Sequence, residues 1–146
     1  MPLQSKPQSW KYFANFHIDL IISIVLTIGI YSIRIIFNKQ PPIDYGLFIT
    51  IFIGVFSVNF TVFAISKYLV KNYPKIEKQW IKENIDAVFR TPIKNSVIGA
   101  VASIFFKATS ITFLDFVLYF FLFYSLISSY YVFKFVYEIS IQKGNE

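Results

Sequence analysis

The chain has 146 residues, of which 55% are hydrophobic, 21% aromatic and 15% charged, with a formal net charge of +6. Water-soluble domains carry about 25% charged and about 45 to 50% apolar residues, so both departures point to a chain whose main solvent is lipid. Eighteen Phe and ten Tyr exceed what the interior of so small a domain can hide from water. Cysteine is absent, which excludes disulfides, thiolate catalysis and thiolate metal sites; the single His removes the usual zinc sets.

A hydrocarbon core about 30 Å thick takes about 20 apolar helical residues, and four stretches approach this description. The first runs from about Phe16 to Phe37, reading FHIDLIISIVLTIGIYSIRIIF, and is followed by the breaker Pro41-Pro42. Lys6 and Lys11 precede it as in a signal peptide, but the apolar run is longer than an h-region and no small-x-small site follows, so it reads as a retained span. The second runs from about Tyr45 to Val70 and holds no charge between Leu47 and Ile65.

Composition then shifts: Lys71 to Lys94 carries Lys71, Lys75, Lys78, Lys82, Arg90 and Lys94 against Glu77, Glu83 and Asp86. Within it Trp80, Ile81, Ile85, Val88 and Phe89 recur at helical spacing. This pattern suits either an amphipathic loop helix lying in the membrane interface or a short solvated helix. Thr91-Pro92 reads as a helix start, with Thr as N-cap and Pro where its missing N–H is harmless. A third, shorter span is expected from residue 92 to about 110, either crossing or re-entrant. Thr112 and Asp115 resemble a capping box, so a fourth span is expected from about Phe113 to Val136, forming an antiparallel hairpin with the third.

The expected fold is therefore all-α: a single polytopic membrane domain over 1–146 with four transmembrane helices and a cytoplasmic amphipathic loop helix over 71–91. With four spans, eleven of the fourteen Lys and Arg fall on the side holding the termini and that loop, and Arg34, Lys39 and Lys107 fall on the other. The excess of Lys and Arg in cytoplasmic loops places both termini and the loop inside, and the chain in a bacterial inner membrane.

Polar groups in hydrocarbon need partners, since Asp, Lys or Arg at a helix centre costs about 2.5 to 3.5 kcal/mol on the translocon scale. On the first span Asp19, Ser23, Thr27, Tyr31, Arg34 and Asn38 follow at three or four residues and share one face. The stripe is either a wetted seam, such as a pore lining or a groove for a polar ligand, or a protein-facing surface whose Ser and Thr bond back to their own helix. On the third span Ser96, Gly99, Ala100, Ser103 and Lys107 form a second stripe, and small residues so spaced let two backbones approach. Lys107 is expected to snorkel or to pair with Asp115. Asn59 lies on a face with Phe48, Phe52, Phe56 and Phe63; that face is expected to meet another helix, in this protomer or a second one. The opposite face, Thr50, Gly54, Ser57 and Thr61, reads as the natural packing surface. His17 beside Asp19 is either a proton-linked pair or a solvated interface histidine.

No GxSxG elbow, HExxH, phosphate loop or dinucleotide GxGxxG is present, so the chain reads as non-enzymatic, with no cofactor and no metal site. Lys71, Lys75, Lys78, Trp80, Lys82 and Arg90 are the candidate contacts for anionic lipid or a cytosolic protein. Direct nucleic-acid binding is not expected, because three acids interrupt the bases and two spans abut them. Three classes fit: an oligomeric pore or sensor of membrane state, a scaffold recruiting a cytosolic partner, and a small exporter or flippase subunit. Asp19 sits too near the edge to match the membrane-embedded Glu of the small multidrug exporters. FHIDLIIS does not match the Gly-rich first helix of the lipid-linked sugar flippases. In its layout, with four spans, cytoplasmic ends and the basic stretch KNYPKIEKQWIKENIDAVFR on the partner side, the chain resembles the four-helix membrane subunits of bacterial anti-phage systems, in particular the Kiwa membrane component. That resemblance implies a tetrameric inner-membrane sensor and scaffold in antiviral defence, working with a cytosolic DNA-binding partner.

Overall fold

A computed structural model describes residues 9–37, 43–70, 75–109 and 115–144, with side chains described at 18–37, 43–68, 70, 83–109 and 115–137. All the secondary structure among them is helical: α1 Ser9–Ile36, α2 Tyr45–Leu69, α3 Lys75–Thr109 and α4 Asp115–Gly144. Three contain stretches long and apolar enough to cross a bilayer, namely Ile18–Ile36, Tyr45–Tyr68 and Asp115–Tyr137. Only 17% of the apolar window of α1, 17% of that of α2 and 33% of that of α4 is buried inside the protomer. A water-facing bundle would leave this much apolar helix surface uncovered, which the hydrophobic effect opposes at about 25 cal/mol per Å². Lipid removes the penalty, so the chain is a multi-pass helical membrane protein.

Two apolar clusters fix the topology. At one end Val70, the C-cap of α2, Ile85 and Phe89 of α3, and Val132 and Phe135 of α4 pack together. At the other end Phe48 and Phe52 of α2, Phe106 of α3 and Leu118 of α4 do the same. Hence α3 runs antiparallel to both α2 and α4 and follows them from one end to the other, and these three helices make the core. α1 packs chiefly on α4, antiparallel to it, with Tyr31 edge-on to Phe116 at 6.5 Å. The first end, called here the basic end, holds the start of α1 and α3 and the finish of α2 and α4.

A local signal explains the start of α2. The Asp44 side chain accepts from the Leu47 backbone N–H at 3.1 Å, capping one of the first-turn donors. The Pro41-Pro42 breaker and Thr112 lie outside the described residues; α4 is described from Asp115.

Three expectations fail. The basic stretch from Lys75 on is not a separate loop helix: it is the first half of α3, which continues through Thr91-Pro92 without a break for 35 residues, about 52 Å at about 1.5 Å per residue. Proline inside a helix costs about 3 kcal/mol or more, but Pro92 is fully buried and the turns before it place Ile85 and Phe89 in the core, so tertiary packing outweighs the local stop signal. The apolar residues Ile85 and Phe89 that suggested an interfacial face point into the bundle instead. On α2 the Asn59 face meets other helices of the same protomer, one of the two arrangements expected for it, while the opposite face is unpacked within the protomer. Thr50, Gly54, Ser57 and Thr61 are exposed, whereas Phe48, Phe52 and Asn59 are buried against α3 and α4 of the same protomer. The small partner that lets helices approach sits on α3: Gly99 faces the Phe52 ring directly, so a large residue fills the depression left by a small one.

Candidate functional site

Polar side chains cluster at three levels along the bundle. At the far end the Tyr45 hydroxyl donates to Asp115 Oδ1 at 2.9 Å, and the Arg34 guanidinium lies 5.8 Å from the centre of the Tyr119 ring. Asp115 thus takes its hydrogen bond from α2, not from Lys107; Lys107 is exposed near the end of its helix. At mid-depth Asn59 Nδ2 donates to Ser129 Oγ of α4 at 2.8 Å and to the Val55 carbonyl at 2.7 Å. Asn59 Oδ1 and Asn95 Nδ2 are buried without a partner. Ser96 and Ser103, both 0% exposed, donate to the Pro92 and Gly99 carbonyls one turn back. Self-bonded in this way, they present small, satisfied surfaces to α2 and α4.

The basic end holds an open cleft of about 340 Å³. Its walls come from α1 (Asp19), α3 (Glu83, Asn84, Asp86, Ala87, Val88, Arg90, Thr91) and α4 (Ser128, Tyr131). The cleft follows from the packing order: α1 and α3 both lie on α4 but hardly on each other, leaving a groove between them with α4 as its floor. Asp19 is 6% exposed. It lines the cleft together with Tyr131 of α4, and its Oδ1 is buried with no hydrogen-bond partner. At the rim Asp86 Oδ1 meets Lys67 Nζ at 3.1 Å, and that ammonium also lies 4.4 Å from the centre of the Phe63 ring. Among the described residues no group of three His, Asp or Glu stands close enough to hold a metal ion.

Placed on this frame, the residues of the first stripe separate. Asp19, Ser23 and Thr27 are buried, with Ser23 donating to the Asp19 carbonyl and Thr27 to the Ser23 carbonyl, each at 2.7 Å. Tyr31 is exposed, and Arg34 is half-buried at the other end. Of the described residues of this stripe, Asp19 alone lines the cleft. Arg90 is exposed and lines it. Lys71 and the side chains of His17, Lys75, Lys78, Trp80 and Lys82 lie outside the described residues. Sequence reasoning missed Asn84, Asn95, Tyr131 and the Ser125, Ser128 and Ser129 set. The α4 serines were visible as SLISS in an otherwise aromatic span, a signal of a polar inward face.

No protein family, curated protein or solved structure matches the chain.

Proposed function

We propose that the chain is a non-enzymatic, homo-oligomeric platform in a bacterial inner membrane, sensing membrane state and recruiting a cytosolic partner at its basic end. The observation that carries this reading is the outward seam of α2. Thr50, Gly54, Ser57 and Thr61 are exposed at spacings of four, three and four, and a Cβ built on Gly54 meets nothing within 4 Å. Thr50 and Ser57 donate to their own helix at 2.9 and 2.8 Å, so the seam asks for no polar partner. Small residues on a lipid-exposed helix at this spacing are the surface on which a second copy packs closely.

All four helices then cross the bilayer. α3 falls short of the apolar helices in composition because it carries the exposed charges Glu83, Asp86, Arg90, Lys94 and Lys107 and a polar inward face, with Asn84, Asn95, Ser96 and Ser103 buried. It nevertheless runs alongside α2 and α4 between the two apolar clusters, so it crosses wherever they do. With Lys67, Arg90 and Lys134 gathered at one end, the bias of Lys and Arg to the cytoplasmic side orients that end inward. The continuous first half of α3 and the finish of α4 form the surface offered to a partner. A tetramer and a role in anti-phage defence are what the layout likeness adds.

What favours the platform over a pore is that Asp19, Ser23 and Thr27 are buried within the protomer, with the Ser23 and Thr27 hydroxyls closed by bonds to their own helix. Native mass spectrometry of the detergent-solubilised protein tests the reading. A defined oligomer that Gly54→Leu reduces to protomers with unchanged helicity supports it, and a monomeric wild type overturns it. Steady single-channel currents from reconstituted protein would establish the pore instead.

A further inference from the structure

We propose that the cleft between α1, α3 and α4 is a water-filled vestibule, open at the basic end and closed just beyond Lys94, which carries solvent to the middle of the bilayer. This goes beyond the platform reading: it needs neither an oligomer nor a protein partner, and it holds whichever side of the membrane the basic end faces.

The register of the helices gives the depth. Tyr45 meets Asp115 and Asn59 meets Ser129, both pairs 70 positions apart, so α4 keeps level with α2. Against α3, Phe52 faces Gly99, the Phe63 and Phe89 rings lie 5.1 Å apart, and Lys67 meets Asp86. Arg90 therefore stands level with about Thr61, Lys94 with about Ser57, and Ser128 of the cleft floor with Val58. The apolar stretch of α2 is Tyr45–Tyr68, so Ser57 lies at its middle. At about 1.5 Å per residue it is about 16 Å from Tyr68 along the axis, in a hydrocarbon core about 30 Å thick.

Over that depth α3 presents charge. Glu83, Asp86, Arg90 and Lys94 are all exposed and share one side of the helix. The first three line the cleft beside Thr91, Ser128 and Tyr131, and Lys94 continues the same face one turn further on. Asp86 is engaged by Lys67, whereas Arg90 and Lys94 form no ion pair among the described residues. α1 hardly touches α3 and so leaves this face open. Charged side chains at mid-membrane face water or protein, not lipid. Lys94 lies too deep for its four-carbon stem, about 6 Å long, to lift the ammonium to the membrane surface. Water entering through the cleft solvates both cations. Beyond Lys94 the exposed face turns apolar, with Val97, Val101, Ile104 and Phe105, which suits hydrocarbon, so the water column ends there and opens no path across.

The test is the rate at which single cysteines in the full chain, which has none of its own, react in sealed vesicles with a charged, membrane-impermeant methanethiosulfonate. The reagent is added on the side that labels Tyr137→Cys, at the exposed basic end of α4, so the result does not depend on orientation. Ala87→Cys and Thr91→Cys, small changes in the cleft wall that keep every charge, and Lys94→Cys should react from that side within about tenfold of Tyr137→Cys. Leu126→Cys, exposed on α4 and level with about Phe56, and Val101→Cys should react about a hundredfold more slowly from either side, because hydrocarbon suppresses the reactive thiolate by about that factor or more. Thr91→Cys and Lys94→Cys as slow as Leu126→Cys would mean that lipid or protein fills the cleft, and would overturn the proposal. So would their labelling from the side opposite to Tyr137→Cys. Val101→Cys as fast as Thr91→Cys would overturn the closed end, since water would then run the length of α3.

Discussion

Gly99→Ala is expected to destabilise the bundle, although alanine is the better helix former. A Cβ at position 99 would stand 2.7 Å from Phe52 Cδ1 and closer still to Cε1 and Cζ, whereas real contacts begin above about 3.4 Å. Phe52 is 0% exposed and packs with Phe48, Phe106 and Leu118, so its ring cannot swing aside without disturbing them. Overpacking of this kind costs about 1 to 3 kcal/mol, against a helix-propensity gain of about 1 kcal/mol. The net loss is up to about 2 kcal/mol, since the close approach to a fully buried ring sets the cost near the upper end of that range, and it is larger for bulkier residues. Gly54→Ala is the matched control: its Cβ enters open space, and the protomer should be unchanged or slightly more stable. Reversible unfolding in mixed micelles, followed by helical circular dichroism, measures both, and Gly99→Ala with Phe52→Leu should recover most of the loss. Equal stability of Gly99→Ala and Gly54→Ala would refute the large-into-small packing of α2 on α3.

Ser129→Ala should lower stability by only about 0.6 kcal/mol, the measured average for interhelical hydrogen bonds in membranes, because Asn59 Nδ2 keeps its bond to the Val55 carbonyl; the same unfolding titration reads it. Asp44→Ala removes the cap of α2 and should cost about 1 kcal/mol, with amide exchange accelerating in the first turn of α2 before the rest. Lys67→Ala breaks an ion pair whose side chains are 51% and 52% exposed. It should change stability by less than about 1 kcal/mol, an effect that shrinks further in high salt.

The helices were legible in the sequence because bilayer thickness imposes a length that a run such as Leu47 to Ile65 either meets or does not. Their faces were not, because in lipid the rule that apolar residues go inside loses its force. The large Phe48 and Phe52 and the small Thr50 and Gly54 are both acceptable to lipid, and volume matching against Gly99 decides which turns inward. Thr91-Pro92 misled for a related reason. As a local signal it marks a start, but Ile85 and Phe89 have core partners in Val132 and Phe135 that no local reading of the chain could supply. At the site, Asp19 stood out as a charge at the edge of a span. That it lines one groove with Tyr131, 112 positions away, depends on the packing order of the helices, which periodicity does not encode.

Whether α3 crosses the bilayer together with α2 and α4 is tested most directly by labelling, which the absence of native cysteine makes clean. Single substitutions Asp86→Cys and Tyr137→Cys at the basic end, and Asp44→Cys and Thr109→Cys at the other, are exposed to a membrane-impermeant maleimide in intact cells and in inverted vesicles. The first pair should react only in inverted vesicles and the second only in intact cells. Reaction of Asp86→Cys and Thr109→Cys from the same side would mean that α3 does not traverse the membrane, and the four-helix crossing would be wrong.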